Sequence, residues 1–360
     1  MRGRTTGAPH AFTSLRRPAP VLSAYTRDKD GRVPLEILVR RAALIAASAT
    51  FASSTACGGN SRAADTAASA PVSSAAIQIT DDADQVIRLT KPAVRVVSLI
   101  PSATETLIAI GATHQIVGRT RYDVAPEIRS VTSVGGSIDP SIEAIVNLHP
   151  DLVISWESDR GQQIRERLSA AGIPVFILRT EDTTDIFRGI ANIGRLTGHD
   201  SAGRAVAQSV RATLDTIRHA VAGRPAPSVF YMVFPNPPMT AGPDTFIGQL
   251  ISLAGGRSIF ADDSSHWPNV SMEEIVGRDP DILVVPVGEL NPNSLSRFRS
   301  LPGWRDLRAV RTGHIYAVPA DLMSRPSPSI AAAAHVLEHV FHPDVDGIHS
   351  TVHRTNGARP

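Results

Sequence analysis

The stretch His335-Val-Leu-Glu338-His339 places two imidazoles one helical turn apart with a carboxylate beside them, the arrangement some hydrolases use to hold zinc and activate water. Only 21 residues follow His339, too few for the distant carboxylate that completes such a site. Two histidines and a glutamate on one helix face also recur by chance, so zinc-dependent hydrolysis is a remote alternative and no metal ligand is assigned. Cys57 is the one cysteine of the chain, which excludes an intramolecular disulfide and a cysteine-based zinc site. G-x-S-x-G, Walker and G-x-G-x-x-G patterns are absent, so hydrolase, nucleotide and dinucleotide readings have no support and no catalytic residue or cofactor is expected. The side chains left over suit recognition: Tyr122, Trp156, Phe234 and Trp267 near turns, Arg325 in Ser-Arg-Pro-Ser-Pro, and the acidic residues Glu143 and Glu273.

Cys57 has a different kind of context. Arg40-Arg41 precedes a small-residue apolar stretch from Ala42 to Ala56, and Cys57-Gly58-Gly59 follows, the layout of a secretory signal. With Ser54-Thr55-Ala56 before the cysteine, the segment resembles a bacterial lipobox, in which the thiol is acylated, although Ser54 stands where leucine is usual. A buried free cysteine is the alternative. Residues 1–57 read as an N-terminal extension plus lipoprotein-type signal, with translation expected to start near Val33–Leu38, and residues 58–77 as a flexible Ser/Ala/Gly tether. The same division explains the charge. Of 36 basic and 34 acidic residues, nine basic and three acidic lie in residues 1–57, so the remainder is mildly acidic and offers no basic stripe for nucleic acid. No apolar run downstream of residue 57 is long enough to span a bilayer.

The body must position the recognition residues, and its pattern is alternating β and α. Strands are expected at Val94–Leu99, Leu152–Ser155 and Val175–Leu178, with helices from a Ser102 cap to Gly111 and from Gln162 to Ala171. The same grammar restarts with strands at Ser228–Val233, Ile282–Val285 and Ile315–Val318 and helices at Phe246–Ala254 and Ser329–Phe341. Between them, Asp185–Leu196 and Ser201–Val221 are helical patterns. The fold class expected is α/β: two Rossmann-like lobes, residues 78–182 and 224–342, joined through linking helices at 183–223 by a single long α-helix, with a ligand cleft between the lobes. Residues 343–360 read as a disordered tail.

Self-comparison shows an internal repeat. Ser141-Ile-Glu143-Ala-Ile-Val-x-x-x-Pro150-Asp151 returns as Ser271-Met-Glu273-Glu-Ile-Val-x-x-x-Pro280-Asp281. Cap, stop and strand logic account for the serine, proline and apolar positions, but not for a glutamate at the second helical position of both copies. Glu274 can close a capping box with Ser271, which leaves Glu273 free.

Arg95-Val-Val-Ser-Leu-Ile-Pro-Ser-Ala-Thr-Glu105, Ile145-Val-x-x-x-Pro-Asp-Leu-Val153, Asn236-Pro-Pro-x-Thr240, Gly255-Gly256, Trp267-Pro268 and Ser327-Pro328, in this order around a long helix, resemble the helical-backbone (class III) periplasmic substrate-binding proteins of ABC importers. That resemblance covers residues 78–342 and implies a non-enzymatic, extracytoplasmic solute receptor at the periplasm or cell surface. Its ligand would be cobalamin or a related corrinoid, or alternatively an iron-siderophore or haem. It implies ligand contacts from Tyr122, Trp156, Phe234 and Trp267, each with core packing as the alternative. Arg325 would line the cleft or stand at the surface, and Glu105 reads as a helix-start carboxylate. Glu143 and Glu273 would dock onto arginines of the permease. The partners implied are the ABC permease, a small-molecule chelate and the membrane through the lipid anchor, with the protein a monomer. Tryptophans found near Ser137 and Leu322 in cobalamin-binding members are absent, which leaves the ligand open.

Overall fold

The computed structural model describes residues 77–288 and 295–345 together with the backbone of His353–Arg354. The extension, the signal and Cys57 lie outside the described residues, as do tether residues 58–76 and the rest of the tail. An antiparallel hairpin of β1 (Ile77–Thr80) and β2 (Val86–Leu89) comes first. The first lobe continues through β3 (Val96–Ser98), α1 (Pro101–Ala109), β4 (Ile116–Arg119), β5 (Thr132–Ser133), α2 (Ile142–Asn147), β6 (Leu152–Trp156), α3 (Asp159–Ser169) and β7 (Val175–Leu178). Its strands form one parallel sheet in the order β5-β4-β3-β6-β7.

Side chains of this sheet alternate between two apolar layers. Val96, Leu152, Ile154 and Phe176 pack on one face, and Val97, Val153, Val175 and Ile177 on the other. Strands so covered on both faces need continuous apolar sequence, which is why Leu152–Ile154 and Val175–Leu178 read as unbroken runs. Two boundaries differ from the sequence reading. Pro101 opens α1 ahead of Ser102, because its fixed φ suits the first helical position and its missing N–H costs nothing there. The third helix begins at Asp159, because the Ser158 side chain accepts from Gly161 N at 2.9 Å and caps it.

From β7 the chain passes through α4 (Thr183–Leu196), capped by Asp182, and α5 (Asp200–Ala220). Ile186 and Ile190 of α4 share an apolar cluster with Val210, Leu214 and Ile217 of α5. At 1.5 Å per residue the 21-residue α5 is about 30 Å long, the length of a small domain.

The second lobe contains β8 (Ser228–Tyr231), β9 (Phe234–Pro235), β10 (Pro238–Met239), α6 (Phe246–Leu253), β11 (Arg257–Ser258), α7 (Met272–Arg278), β12 (Ile282–Val287), α8 (Arg308–Arg311), β13 (Ile315–Pro319), α9 (Ala320–Met323), α10 (Ile330–Phe341) and β14 (His353–Arg354). The sheet order is β11-β8-β12-β13-β14, parallel except for β14. Backbone at 353–354 pairs antiparallel with β13 at the edge of this sheet.

The repeated motif does the same job in both lobes. Asp151 accepts from the backbone N–H groups of Val94 and Arg95, each at 2.9 Å, and Asp281 accepts from Ser228 N at 2.9 Å and Ser228 Oγ at 2.6 Å. Each aspartate thereby ties the start of its own strand to the start of β3 or β8. In each lobe the chain leaves that strand to one side and later returns to its other side, so a crevice opens beyond the carboxyl ends of the strands.

Candidate ligand cleft and docking surface

One carboxylate from the first lobe is held by three groups of the second. Arg325 Nη1 donates to Glu105 Oε1 at 2.8 Å, while Ser327 Oγ and Ser329 Oγ donate to Oε2 at 2.5 and 3.2 Å. Arg325 Nη2 reaches the backbone oxygen of Tyr122 at 3.4 Å. The Arg325 and Glu105 side chains are 17% and 19% exposed, so the pair is largely withdrawn from water. Burial alone would lower the arginine pKa, but the Glu105 hydrogen bond and charge raise it, and Arg325 stays a cation. A second junction lies at the start of α4, where Glu181 O accepts from Phe246 N at 2.6 Å and Gln249 Oε1 accepts from Thr183 N and Oγ1 at 3.0 and 2.7 Å. Because α1 starts at Pro101, Glu105 is its fifth residue and lies outside the first turn, so it is an interlobe acceptor and not the helix-start carboxylate expected from a Ser102 cap. Its partners lie 220 or more residues along the chain, beyond any local pattern.

The four aromatic candidates occupy loops or strand ends, two in each lobe. Tyr122, in the turn after β4, and Phe234, in β9, are 49% and 57% exposed. Arg121 lies over the Tyr122 ring at 5.2 Å. Trp156 is the last residue of β6 and half-buried, and Trp267 packs against the apolar cluster of the second lobe. No ring contact joins any two of these four among the described residues. The remaining tryptophan, Trp304, is core, tilted against Phe230 and edge-to-face with Phe298.

Glu143 and Glu273 are both exposed, each second in its helix. Neither makes an ion pair or side-chain hydrogen bond among the described residues. Ser141 and Ser271 accept from Ala144 N and Glu274 N, each at 3.1 Å, so both helix starts are capped without them. Glu274 completes the capping box by accepting from Ser271 N at 2.8 Å, which leaves Glu273 without a local task. Because α2 runs directly into β6 and α7 into β12, the helix starts lie toward the carboxyl ends of the strands, the side on which each crevice opens.

Residues 96–322 match the family model for periplasmic binding proteins. The chain belongs to that family. A cobalamin-binding protein of Halobacterium salinarum is 33% identical over 289 residues, spanning 78% of this chain and 76% of the relative. An uncharacterized ABC transporter substrate-binding lipoprotein of Bacillus subtilis is 28% identical over 276 residues, 74% of this chain and 86% of its own length. Among solved structures, a periplasmic heme-binding protein from Roseiflexus sp. matches with a TM-score of 0.63 and 25% identity, over 70% of this chain and 99% of that one.

A periplasmic binding protein captures a solute and leaves it chemically unchanged. His335 Nδ1 lies 2.9 Å from Glu338 Oε2, so the would-be base is occupied within its own helix. Burial lowers the pKa of His339. Among the described residues no group of three metal-ligating side chains is assembled. Two features have no counterpart in the sequence pattern: the Glu105 bonds to Ser327 and Ser329, and the exposed Val124 and Ile138 in loops of the first lobe. An isolated apolar residue in a loop carries no sequence signal, since single exposed hydrophobes are common.

Proposed function

We propose that this periplasmic binding protein captures cobalamin or a related corrinoid between its lobes and delivers it, as a lipid-anchored monomer, to the permease of an ABC importer. The observation that carries this reading is the pair of exposed rings, Tyr122 and Phe234, one from each lobe, together with the exposed alkyl side chains of Val124 and Ile138 in the first lobe. A corrinoid is broad, flat and largely apolar with an amide fringe, so it gains most from ring faces and alkyl groups and needs few polar contacts. Trp156 and Trp267 would add to that surface, and Arg325, whose Nη2 lies 3.4 Å from the Tyr122 backbone oxygen, would stand beside it. The cobalamin-binding relative supports the ligand class. The lipoprotein relative supports acylation of Cys57 and partnership with an ABC permease, to which Glu143 and Glu273 would dock.

Titrating the purified protein with cyanocobalamin, haemin and a ferric hydroxamate while following tryptophan quenching tests the ligand. Saturable micromolar or tighter binding of cyanocobalamin is expected. The double variant Phe234→Ala, Trp267→Ala should weaken it by about 10- to 100-fold, the loss of two aromatic anchors. Binding of haemin or the siderophore alone would replace the corrinoid with the iron-chelate alternative.

Interlobe hydrogen bonds in two places, around Glu105 and from Phe246 N to Glu181 O, argue for little lobe movement. In a Cys57→Ser background, spin labels at Arg167→Cys and Arg311→Cys should change their separation by less than about 2 Å on ligand binding. A larger closure would show that these contacts yield.

A further inference from the structure

The charged groups nearest Tyr122 form one cluster, and its cations are already occupied. Arg121 Nη2 contacts both oxygens of Asp139, at 2.9 and 3.0 Å. Arg325 is 2.8 Å from Glu105 and 3.4 Å from Asp321. Asp123, beside Tyr122, adds a fourth carboxylate and Arg119, bound to the Asp123 backbone oxygen, a third guanidinium, so three cations face four anions and the balance is negative. Glu105 contributes more to this than its charge. Its Oε2 also accepts from Ser327 and Ser329, the hydroxyls that could otherwise donate to an anion entering beside Arg325. A ligand carboxylate reaching this place would meet no free donor pair and would have to surrender its water to do so. An amide-fringed or otherwise neutral chelate gives up far less water and meets the same exposed aromatic and alkyl surface.

We infer that Glu105 is a specificity-determining residue: by neutralising Arg325 and occupying Ser327 and Ser329, it selects flat chelates that lack ionised carboxylates and rejects dianionic ones. The inference rests on the proposed capture of a flat chelate in this cleft. Glu105 also joins the lobes, so the test must separate its charge from its bonding. Glu105→Gln removes the charge, keeps one oxygen that can accept from Arg325 and sets an amide N–H beside the serine hydroxyls, which can accept as well as donate. Asp321→Asn removes a second charge at a side chain 79% exposed and outside the Ser327–Ser329 cluster, where folding is not at stake.

Wild type and both variants are titrated with haemin, a dianionic chelate, by its absorption change, and with cyanocobalamin, a chelate without carboxylates, by tryptophan quenching. Removing one charge several ångströms from a ligand carboxylate in a partly exposed site is worth about tenfold in affinity. Haemin should therefore bind Glu105→Gln about tenfold tighter than wild type, and Asp321→Asn about threefold tighter, with cyanocobalamin gaining in neither. Adding Arg325→Gln to Glu105→Gln should erase the gain, since the released guanidinium is what captures the carboxylate. Haemin affinities within twofold across wild type, Glu105→Gln and Asp321→Asn, or no haemin binding in any of them, would overturn the inference. If Glu105→Gln folds poorly, Asp321→Asn decides alone. Failure of wild type to bind cyanocobalamin would overturn the corrinoid reading instead, and the haemin comparison would still judge the charge filter.

Discussion

Replacing Glu143 and Glu273 together by alanine is expected to lower solute uptake in cells by about a hundredfold or more while leaving ligand affinity within about threefold of wild type. Removing one partner of a desolvated interfacial charge pair costs about 2–5 kcal/mol, and two such pairs act at once. The fold should hardly notice. Both carboxylates are exposed and unpaired among the described residues, and Ser141 and Ser271 cap their helices without help. What remains is their favourable placement near helix starts, worth about 0.3–1 kcal/mol each at most. Uptake measured beside ligand titration and thermal melting separates these effects. Uptake unchanged in the double variant would remove the docking role, and a large fall in melting temperature would reassign the glutamates to stability. Each single variant should fall between wild type and the double.

Gly161→Val and Gly248→Val should each destabilise the protein by about 3 kcal/mol or more, among the largest effects available to a point substitution here. The two glycines do the same work at two helix starts. Ser158 caps α3 by accepting from Gly161 N at 2.9 Å, and Thr245 caps α6 by accepting from Gly248 N at 3.1 Å. In both, the preceding loop folds back so tightly that a Cβ would lie 2.1 Å from a backbone oxygen, that of Trp156 in one case and of Gly242 in the other. A backbone carbonyl cannot step aside as a side chain can, so α3 would be pushed from the strand end that carries Trp156, and ligand affinity should fall with stability. Gly277 in α7 is the control. A Cβ there meets nothing within 4 Å, and Gly277→Ala should stabilise by about 0.5–1 kcal/mol through reduced freedom of the unfolded chain. Urea denaturation of the three variants measures the contrast. Equal stabilities at Gly161, Gly248 and Gly277 would show that the tight loops are not rigid.

Much of the architecture was legible before any tertiary information. Continuous apolar runs such as Leu152–Ile154 and Val175–Leu178 mean strands covered on both faces, and the spacing of Val206, Val210, Leu214 and Ile217 means a helix with one buried stripe. The returning Ser-x-Glu and Pro-Asp motif showed two lobes of one design, and the structure gives its aspartate a reason in the bonds that Asp151 and Asp281 accept at the starts of β3 and β8. Local caps were harder. Ser102 and Ser158 are equally good cap residues by type, and which of them caps depended on Pro101 in one case and on the Gly161 N–H in the other.

What the sequence by itself determined is everything that depends on periodicity and near neighbours: strand and helix identity, the α/β alternation, the two-lobe repeat and the surplus glutamate in each copy. What only the tertiary structure decided is how distant side chains meet. Arg325 could be a cleft cation or a surface arginine, and Glu105 passed for an ordinary helix-start carboxylate, until folding brought them to 2.8 Å across a separation of 220 residues. The physical reason is that a backbone pattern is fixed by interactions within a few residues, whereas the charge of a cleft is a sum over groups from separate lobes. Their pairing exists only once both lobes are packed.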